Sequence, residues 1–200
     1  MMILLLTALA LAPSDSLLAG IQKKIDDSEA RLKAEVYSFV ATTWSKELDS
    51  QGLVKKVDTT VTWELRRGYE TLADSIIYGN AKRPDRRKKM SRETPRLGDT
   101  NYVYEMPDSQ VIYFRPKKLN KGDLSYRLGF DSKTLFPRWL EIEMPRPKLP
   151  VQEFRMRIEW TLWEDMLVPK KTRMQVSWKM LVMTGGMEVE KIFSDYRRQR

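Results

Sequence analysis

Apolar residues at every second position are the feature that most limits how this chain can fold. In the clearest segment, FRMRIEWTLW, charged or polar residues alternate with five apolar ones, Phe154, Met156, Ile158, Trp160 and Leu162. Successive side chains of a β-strand point to opposite faces of a sheet, so the segment predicts a strand with one apolar and one charged face. The large apolar groups either fill an ordinary core or line a cavity that holds an apolar ligand.

Similar segments follow one another along most of the chain and are separated by turn signals. The sequence DSQG (49–52) separates the first two strands, and EMPRPKLP (143–150) is a connection, because proline cannot donate a ladder hydrogen bond in a central strand. Ahead of them, apolar residues at helical spacing predict a helix that is capped by Ser14 or Ser16 and ends near Ala30. These helical residues are Leu17, Leu18, Ile21 and Ile25. We therefore predict a mainly β (α+β) fold, with one N-terminal helix followed by a single antiparallel meander of about eight strands.

Gly185-Gly186 is a two-residue hairpin signal near the end of the chain. The hairpin that it predicts pairs Val182 with Val189 and Trp178 with Phe193. The same register places Lys191 on the apolar face, and the pattern offers no reason for a charge there.

Two missing residue types exclude several kinds of active site. The chain has no histidine and no cysteine, which excludes histidine-dependent nucleophilic catalysis, thiolate chemistry, disulfides and Cys/His zinc sites. It also has no glycine-rich phosphate loop and no clustered carboxylates of the kind that hold magnesium. We predict a protein that is not an enzyme and has no catalytic residues, no metal and no cofactor.

The N-terminal segment MMILLLTALALA has no charged side chain and is too short to span a bilayer, which takes about 20 apolar residues. Its length and its Ala-Leu-Ala ending are typical of a secretory signal peptide cleaved after Ala10 or Ala12. The alternative is a buried N-terminal strand or helix. We predict a signal peptide over 1–12, a single domain over 13–200, and a periplasmic or secreted location.

Positive charge is concentrated in the run KRPDRRKKMSR (82–92), in a chain of formal net charge +9. Such runs bind anionic lipid headgroups, acidic proteins or nucleic acid. Nucleic acid is not expected for an exported chain, so we predict contact with an anionic membrane surface or an acidic envelope protein. The contact residues would be Arg83, Arg86, Arg87, Lys88 and Lys89. The alternative is a solvated loop that keeps a monomeric protein soluble.

The order of these segments resembles the outer-membrane lipoprotein-sorting (lipoprotein carrier, Lol-type) superfamily of bacteria. A short helix and a D-x-x-G hairpin are followed by YVYEMPDSQVIYF, LGFDSKTLFPRWLEIEM, LVPKKTRMQV and VEKIFSDYR. The most specific positions are Asp131, Thr134, Pro137, Pro169, Ser194 and Tyr196. The resemblance implies an unclosed β-half-barrel around a hydrophobic cavity that a helix plugs.

The resemblance also implies a carrier that binds lipid, or the acyl chains of lipoproteins, for transport across the periplasm toward the outer membrane. Tryptophan and methionine suit such a pocket, and Trp63, Trp139, Trp160, Trp163 and Trp178 are candidates. The predicted cavity lining is Val61, Trp63, Leu65, Leu128, Phe130, Leu140, Ile142, Met156, Ile158, Trp160, Met174, Val176 and Trp178. The alternative is a non-enzymatic envelope interaction or structural module with a filled core and a basic docking surface.

Overall fold

The structure, a computed structural model, describes residues 12–68, 70–79, 94–180 and 183–199. Two predictions fall largely or wholly outside these ranges. The signal peptide lies outside them except for residue 12, and the five basic residues Arg83, Arg86, Arg87, Lys88 and Lys89 lie outside them altogether. Both therefore stay predictions.

The predicted N-terminal helix is confirmed as α1, Asp15–Ala34, and it extends one turn beyond its expected end. The side chain of Ser14 caps it by accepting a hydrogen bond from the Leu17 N–H at 3.3 Å. Leu18, Ile21 and Leu32 are buried along one side of the helix. This apolar stripe is the surface with which the helix packs on the sheet.

Ten strands are present among the described residues, rather than about eight. They are β1 (Val36–Leu48), β2 (Val54–Arg67), β3 (Glu70–Tyr78), β4 (Tyr102–Asp108), β5 (Val111–Pro116), β6 (Ser125–Phe130), β7 (Pro137–Glu143), β8 (Val151–Trp163), β9 (Met166–Met180) and β10 (Met183–Arg198). The strands β1, β2 and β8 to β10 are about twice as long as β4 to β7. The sheet therefore has a short-stranded part and a long-stranded part.

All strand pairs are antiparallel, and the order across the sheet is β3-β2-β1-β10-β9-β8-β7-β6-β5-β4. In a simple meander β1 would lie at an edge, but here it pairs with both β2 and β10 near the centre. Within the described ranges no pairing joins β3 to β4, so the sheet is not closed. The predicted α+β class with an open antiparallel sheet is confirmed.

The hairpin prediction at Gly185-Gly186 is wrong. Both glycines lie inside β10, where Gly185 pairs with Trp178 and Gly186 with Ser177. A Cβ atom on Gly185 would lie 3.3 Å from the Trp178 indole. This glycine therefore makes room for an aromatic ring on the next strand and does not form the turn.

Two buried clusters fill the space between α1 and the sheet. The larger lies under β5 to β7, where Ile112, Phe114, Leu128, Phe130 and Leu140 surround residues of the first half of the helix. The smaller lies near the helix C-terminus. It comprises Leu32, Tyr37, Phe39, Ala41, Met166 and Val168, with Trp163, Phe193 and Tyr196 packed against it. These clusters define the side of the sheet that we call the helix-side face; the opposite side is the outer face.

On the outer face, Trp139 lies against a glycine. Gly129 on β6 pairs with Trp139 on β7, and a Cβ atom at position 129 would approach the indole to 2.2 Å. The guanidinium of Arg157 lies over the same indole, 4.5 Å from the ring centroid. Only glycine at position 129 leaves space for this ring.

We expect Gly129→Ala to destabilise the protein by about 1–3 kcal/mol, because the added methyl group must displace the indole. Chemical denaturation of a double-mutant cycle with Trp139→Ala measures the effect. In the Trp139→Ala background the methyl group fits, so Gly129→Ala should be nearly neutral there. Equal effects of Gly129→Ala in both backgrounds would contradict the proposed steric conflict.

Candidate functional site

One row of cross-strand partners identifies the helix-side face of the long strands. The row runs through Leu140, Ile158, Thr172, Lys191 and Thr43. Directly opposite residues in an antiparallel pair project from the same face. Since Leu140 is buried under the helix, the whole row belongs to the helix-side face.

The neighbouring row, one residue along each strand, therefore lies on the outer face. It runs through Glu141, Arg157, Arg173, Glu190 and Trp44. Its charges are paired, since Arg157 Nη1 lies 2.5 Å from Glu141 and Arg173 Nε lies 2.6 Å from Glu190. The charged and apolar faces predicted for β8 thus lie as expected over most of the strand.

The structure separates the predicted lining residues into three groups. Three are fully buried in the larger core: Leu128, Phe130 and Leu140. Seven are half-buried on the helix-side face: Ile142, Met156, Ile158, Trp160, Met174, Val176 and Trp178. Three lie on the outer face: Val61, Trp63 and Leu65.

The face prediction is wrong for the three residues of β2. Phe39, in the smaller core, pairs directly with Glu64, so Glu64 is on the helix-side face. Trp63 and Leu65 flank Glu64 in the chain, and Val61 follows the same alternation. In β2 it is therefore the polar and charged residues that face the helix.

Two further positions differ from the pattern. Trp139, a candidate pocket residue, lies on the outer face opposite Gly129. Near the end of β8 the register shifts between Glu159 and Trp160. Leu162 is consequently 48% exposed, while Trp163 packs on the smaller core.

A band of apolar side chains on the helix-side face belongs to neither buried cluster of the described residues. We call it the apolar strip; it consists of Phe154, Met156, Ile158, Met174, Val176, Trp178, Met187 and Val189. Two of its rows cross three strands, Phe154–Val176–Met187 and Met156–Met174–Val189. Each member is half-buried, so the strip presents apolar surface that α1 does not cover.

Lys191 and Glu64 form an ion cluster at one end of the apolar strip. Lys191 Nζ donates to Glu64 Oε1 at 2.9 Å, and Arg66 Nη2 donates to Oε2 at 2.6 Å. The Glu64 side chain is 11% exposed, against 25% for Lys191 and 27% for Arg66. This pairing explains why a lysine is tolerated on an apolar face, because its charge is neutralised there.

The pKa of Glu64 results from opposing effects. Burial of the carboxylate acts to raise the pKa, but the charges of Lys191 and Arg66 and their hydrogen bonds outweigh it. The net result is a pKa below the ordinary value of 4.5. Glu64 is therefore ionised at neutral pH, and the cluster carries one net positive charge.

A groove of about 760 Å³ lies on the outer face. Its walls carry Trp44 and Val57 together with paired charges such as Arg157, Arg173 and Glu190. Its lining also includes Ile142 and three members of the apolar strip, Met156, Met174 and Val189, which alternate with these charges along the strands.

The helix, the open antiparallel sheet and the partly uncovered apolar strip define an α+β half-barrel-like scaffold. No family model and no curated protein matches the chain. Among solved structures, it is similar to a LolA superfamily protein, NE2245 from Nitrosomonas europaea, at 10% identity and a TM-score of 0.40, covering 96% of this chain and 95% of that one. The name of that protein includes the superfamily that the sequence resembles.

Two other solved structures are similar over most of the chain. A DUF1329 family protein from Desulfovibrio piger has 12% identity and a TM-score of 0.41, covering 93% of this chain and 94% of that one. MucB, solved in complex with MucA(peri), has 7% identity and a TM-score of 0.31, covering 92% and 99%. At these scores no function is transferred from these proteins to the chain.

The described residues contain no helix that is long and apolar enough to cross a membrane. They also contain no group of three or more His, Cys, Asp or Glu residues that could hold a metal ion.

We expect Glu64→Gln to lower stability at pH 7 by about 1–3 kcal/mol, because it leaves two partly buried cations without their counter-ion. The lowered pKa of Glu64 means that its contribution is complete above pH 4.5 and is lost as the pH falls through the lower folded-state value. The stability difference between parent and variant should therefore shrink in acid. Urea denaturation from pH 7 to pH 3 measures it.

The matched control is Asp165→Asn, since the Asp165 side chain is 85% exposed. This variant should lose little stability at pH 7. A Glu64→Gln variant that is as stable as the parent at pH 7 would contradict the role of the ion cluster.

Proposed function

We propose that the chain is a non-enzymatic carrier that binds lipid, or the acyl chain of a lipoprotein, along the apolar strip. In this proposal it is exported and carries its ligand across the periplasm toward the outer membrane. The single observation that supports it is the apolar strip, where half-buried methionine, tryptophan and branched side chains adjoin and no element of the described residues covers them. Contiguous exposed apolar surface of this kind is typical of binding sites.

The energetics of an acyl chain suit such a surface. Each methylene group that is buried contributes about 0.8 kcal/mol, so a long chain binds without any chemical step. From Met174 to Met180 the helix-side face of β9 extends about 20 Å, at about 3.3 Å per residue. Methionine side chains adapt to an irregular or flexible ligand.

The two ends of the apolar strip differ, because the ion cluster lies at only one of them. Lys191 lies beyond Val189 on β10, and its cross-strand partners Thr43 and Thr172 are polar. At the other end Met180 is 58% exposed. An acyl chain would therefore enter from the Met180 end and stop before the ion cluster.

The second candidate is an envelope interaction module with a filled core. Leu128, Phe130 and Leu140 are 2–3% exposed, so the space directly under α1 is packed with side chains. This observation favours a module whose surface, and not its interior, makes the functional contacts. Acyl binding separates the two candidates.

We expect Met174→Glu to weaken the binding of a fluorescent fatty acid at least tenfold, because it places a carboxylate on the apolar strip. Its melting temperature should fall little, since Met174 is only half-buried and belongs to neither core cluster of the described residues. Gln175→Glu is the matched control, because Gln175 is exposed on the outer face of the same strand. Fatty-acid titration with thermal melting of all three proteins measures both effects.

Two results would contradict the carrier. One is a parent protein that neither binds the fatty acid nor co-purifies with acyl species in native mass spectrometry. The other is equal acyl binding by Met174→Glu and Gln175→Glu. Unfolding of Met174→Glu together with no binding by the parent would favour the filled-core module.

The export of the chain is tested by a separate experiment. The segment 1–12 should be removed when the full chain is expressed in a bacterium, because an apolar run of this length with small residues at its end is a signal-peptidase substrate. Intact-mass analysis should then give a mature chain that starts at Leu11 or Pro13. A cytoplasmic full-length product would exclude this route.

A further inference from the structure

Four connections between strands lie side by side at one end of the sheet, which we call the loop end. In sheet order they join β2 to β1 (49–53), β10 to β9, β8 to β7 (144–150) and β6 to β5 (117–124). Because neighbouring strands are antiparallel, these alternate connections all point the same way. The described side chains of these connections and of the strand ends beside them therefore project from the same end of the sheet.

Large aliphatic side chains project from three of these four connections or from the strand ends beside them. Leu53 is 61% exposed and Val54 is 52% exposed at the first connection. Met180 is 58% exposed beside the second, and Leu149 is 77% exposed on the third. Exposed apolar residues that occur singly need no explanation, but adjacent ones at the tips of neighbouring hairpins mark an interaction surface.

The loop end is also basic. The connections 49–53, 117–124 and 144–150 together carry five Lys or Arg and two Asp. Lys55, Lys56 and Lys179 follow or precede them at exposed strand ends. The surface that projects aliphatic groups is therefore surrounded by positive charge.

The described connections at the opposite end of the sheet do not have this excess of lysine. The connections 109–110, 131–136 and 164–165 together carry one Lys and three acidic residues. All three acids are paired with arginines, Asp131 with Arg138, Glu164 with Arg198 and Asp165 with Arg31. The loop end therefore differs in the lysines that its connections present to an anionic partner.

The lysines of the loop end are available for such a partner. Within the described part of the chain, none of the ion pairs involves Lys117, Lys118, Lys121 or Lys148. All four are exposed. They lie on the same connections as Leu149 or on the one beside it.

We propose that the loop end docks on an anionic lipid bilayer. Leu53, Val54, Leu149 and Met180 enter the interface, and the surrounding lysines contact lipid phosphates. An acidic protein surface would also match the charge. A bilayer, unlike such a surface, can accept several separate exposed aliphatic side chains without a matching pocket for each. The proposal uses no residue of the basic run 82–92 and does not depend on acyl binding.

The apolar strip leads to this surface. Met180 lies two residues beyond Trp178 on the same face of β9, so the strip and the docking tips are continuous. If the carrier proposal is correct, an acyl chain would pass between protein and bilayer without crossing water. If the carrier proposal fails, membrane docking is still measured independently by the experiment below.

The chain has no cysteine, so a single introduced thiol reports insertion at a chosen site. Leu149→Cys carries an environment-sensitive fluorophore at the loop end. Leu162→Cys is the matched control, because Leu162 is 48% exposed beside the connection 164–165 at the opposite end. Each is mixed with phosphatidylcholine vesicles that contain phosphatidylglycerol, and with phosphatidylcholine vesicles alone.

We expect a blue shift and a severalfold rise in emission for the label at position 149 with the anionic vesicles, and none for the label at 162. The result should persist when Arg86, Arg87, Lys88 and Lys89 are all changed to serine, which removes most of the attraction of the basic run. Equal responses at the two positions, or no response at 149 under low salt, would overturn the proposal.

Two combined variants test the two parts of the surface by vesicle co-sedimentation. The first is a triple variant that combines Leu53→Ser, Leu149→Ser and Met180→Ser. It should bind anionic vesicles at least tenfold more weakly than the parent, with an unchanged melting temperature. The second is a triple variant that combines Lys117→Ser, Lys118→Ser and Lys121→Ser. It should weaken vesicle binding about 100-fold at low salt and make the binding less dependent on salt. Leu162→Ser and Lys133→Ser should bind as the parent does. Binding that survives the aliphatic triple variant unchanged would mean attachment by charge alone and would overturn insertion.

Discussion

The incomplete cover that one helix gives to a large sheet determines most other features of this molecule. Helix α1 has 20 residues, a length of about 30 Å and a width of about 10 Å. The sheet under it has ten strands, and β10 alone has 16 residues, or about 50 Å. A single helix therefore closes a core over the short strands and near its own C-terminus. The long strands keep half-buried apolar side chains that no other element in the described ranges covers.

The local sequence pattern predicted the helix and most strands, but it did not predict the order of the strands in the sheet. Side-chain alternation is a property of each strand by itself, so the strand formed by residues 151–163 was evident from sequence. The place of β1 beside β10 depends on contacts between residues that are far apart in the sequence, such as Val40 with Ser194. Gly185-Gly186 had the residues of a turn, yet the space that Trp178 requires is a tertiary demand that no local rule includes.

The sequence likewise predicted the faces of some strands of the candidate site and not of others. On β9, and on β8 before the register shift at Trp160, the faces were assigned correctly because strong charges alternate with strong hydrophobes, as with Arg173 and Met174. On β2 both faces hold apolar or threonine residues over much of the strand, and the helix-side face holds Glu64. The sequence signal of this was Lys191 on the apolar face, for which the pattern alone offered no reason; the structure supplies its counter-ion, Glu64.

The central position of β10 has a consequence for the order in which the chain can assemble. As the polypeptide emerges from the ribosome, β1 to β3 can pair as soon as they are made, but one side of β1 then has no partner. The Glu64 carboxylate must likewise wait for Lys191, which lies 127 residues later. Until the last strand is synthesised, the nascent chain carries an open strand edge and an incompletely paired acid. During this time the nascent chain can collapse or associate prematurely. A chain that stays unfolded until its synthesis is complete avoids both.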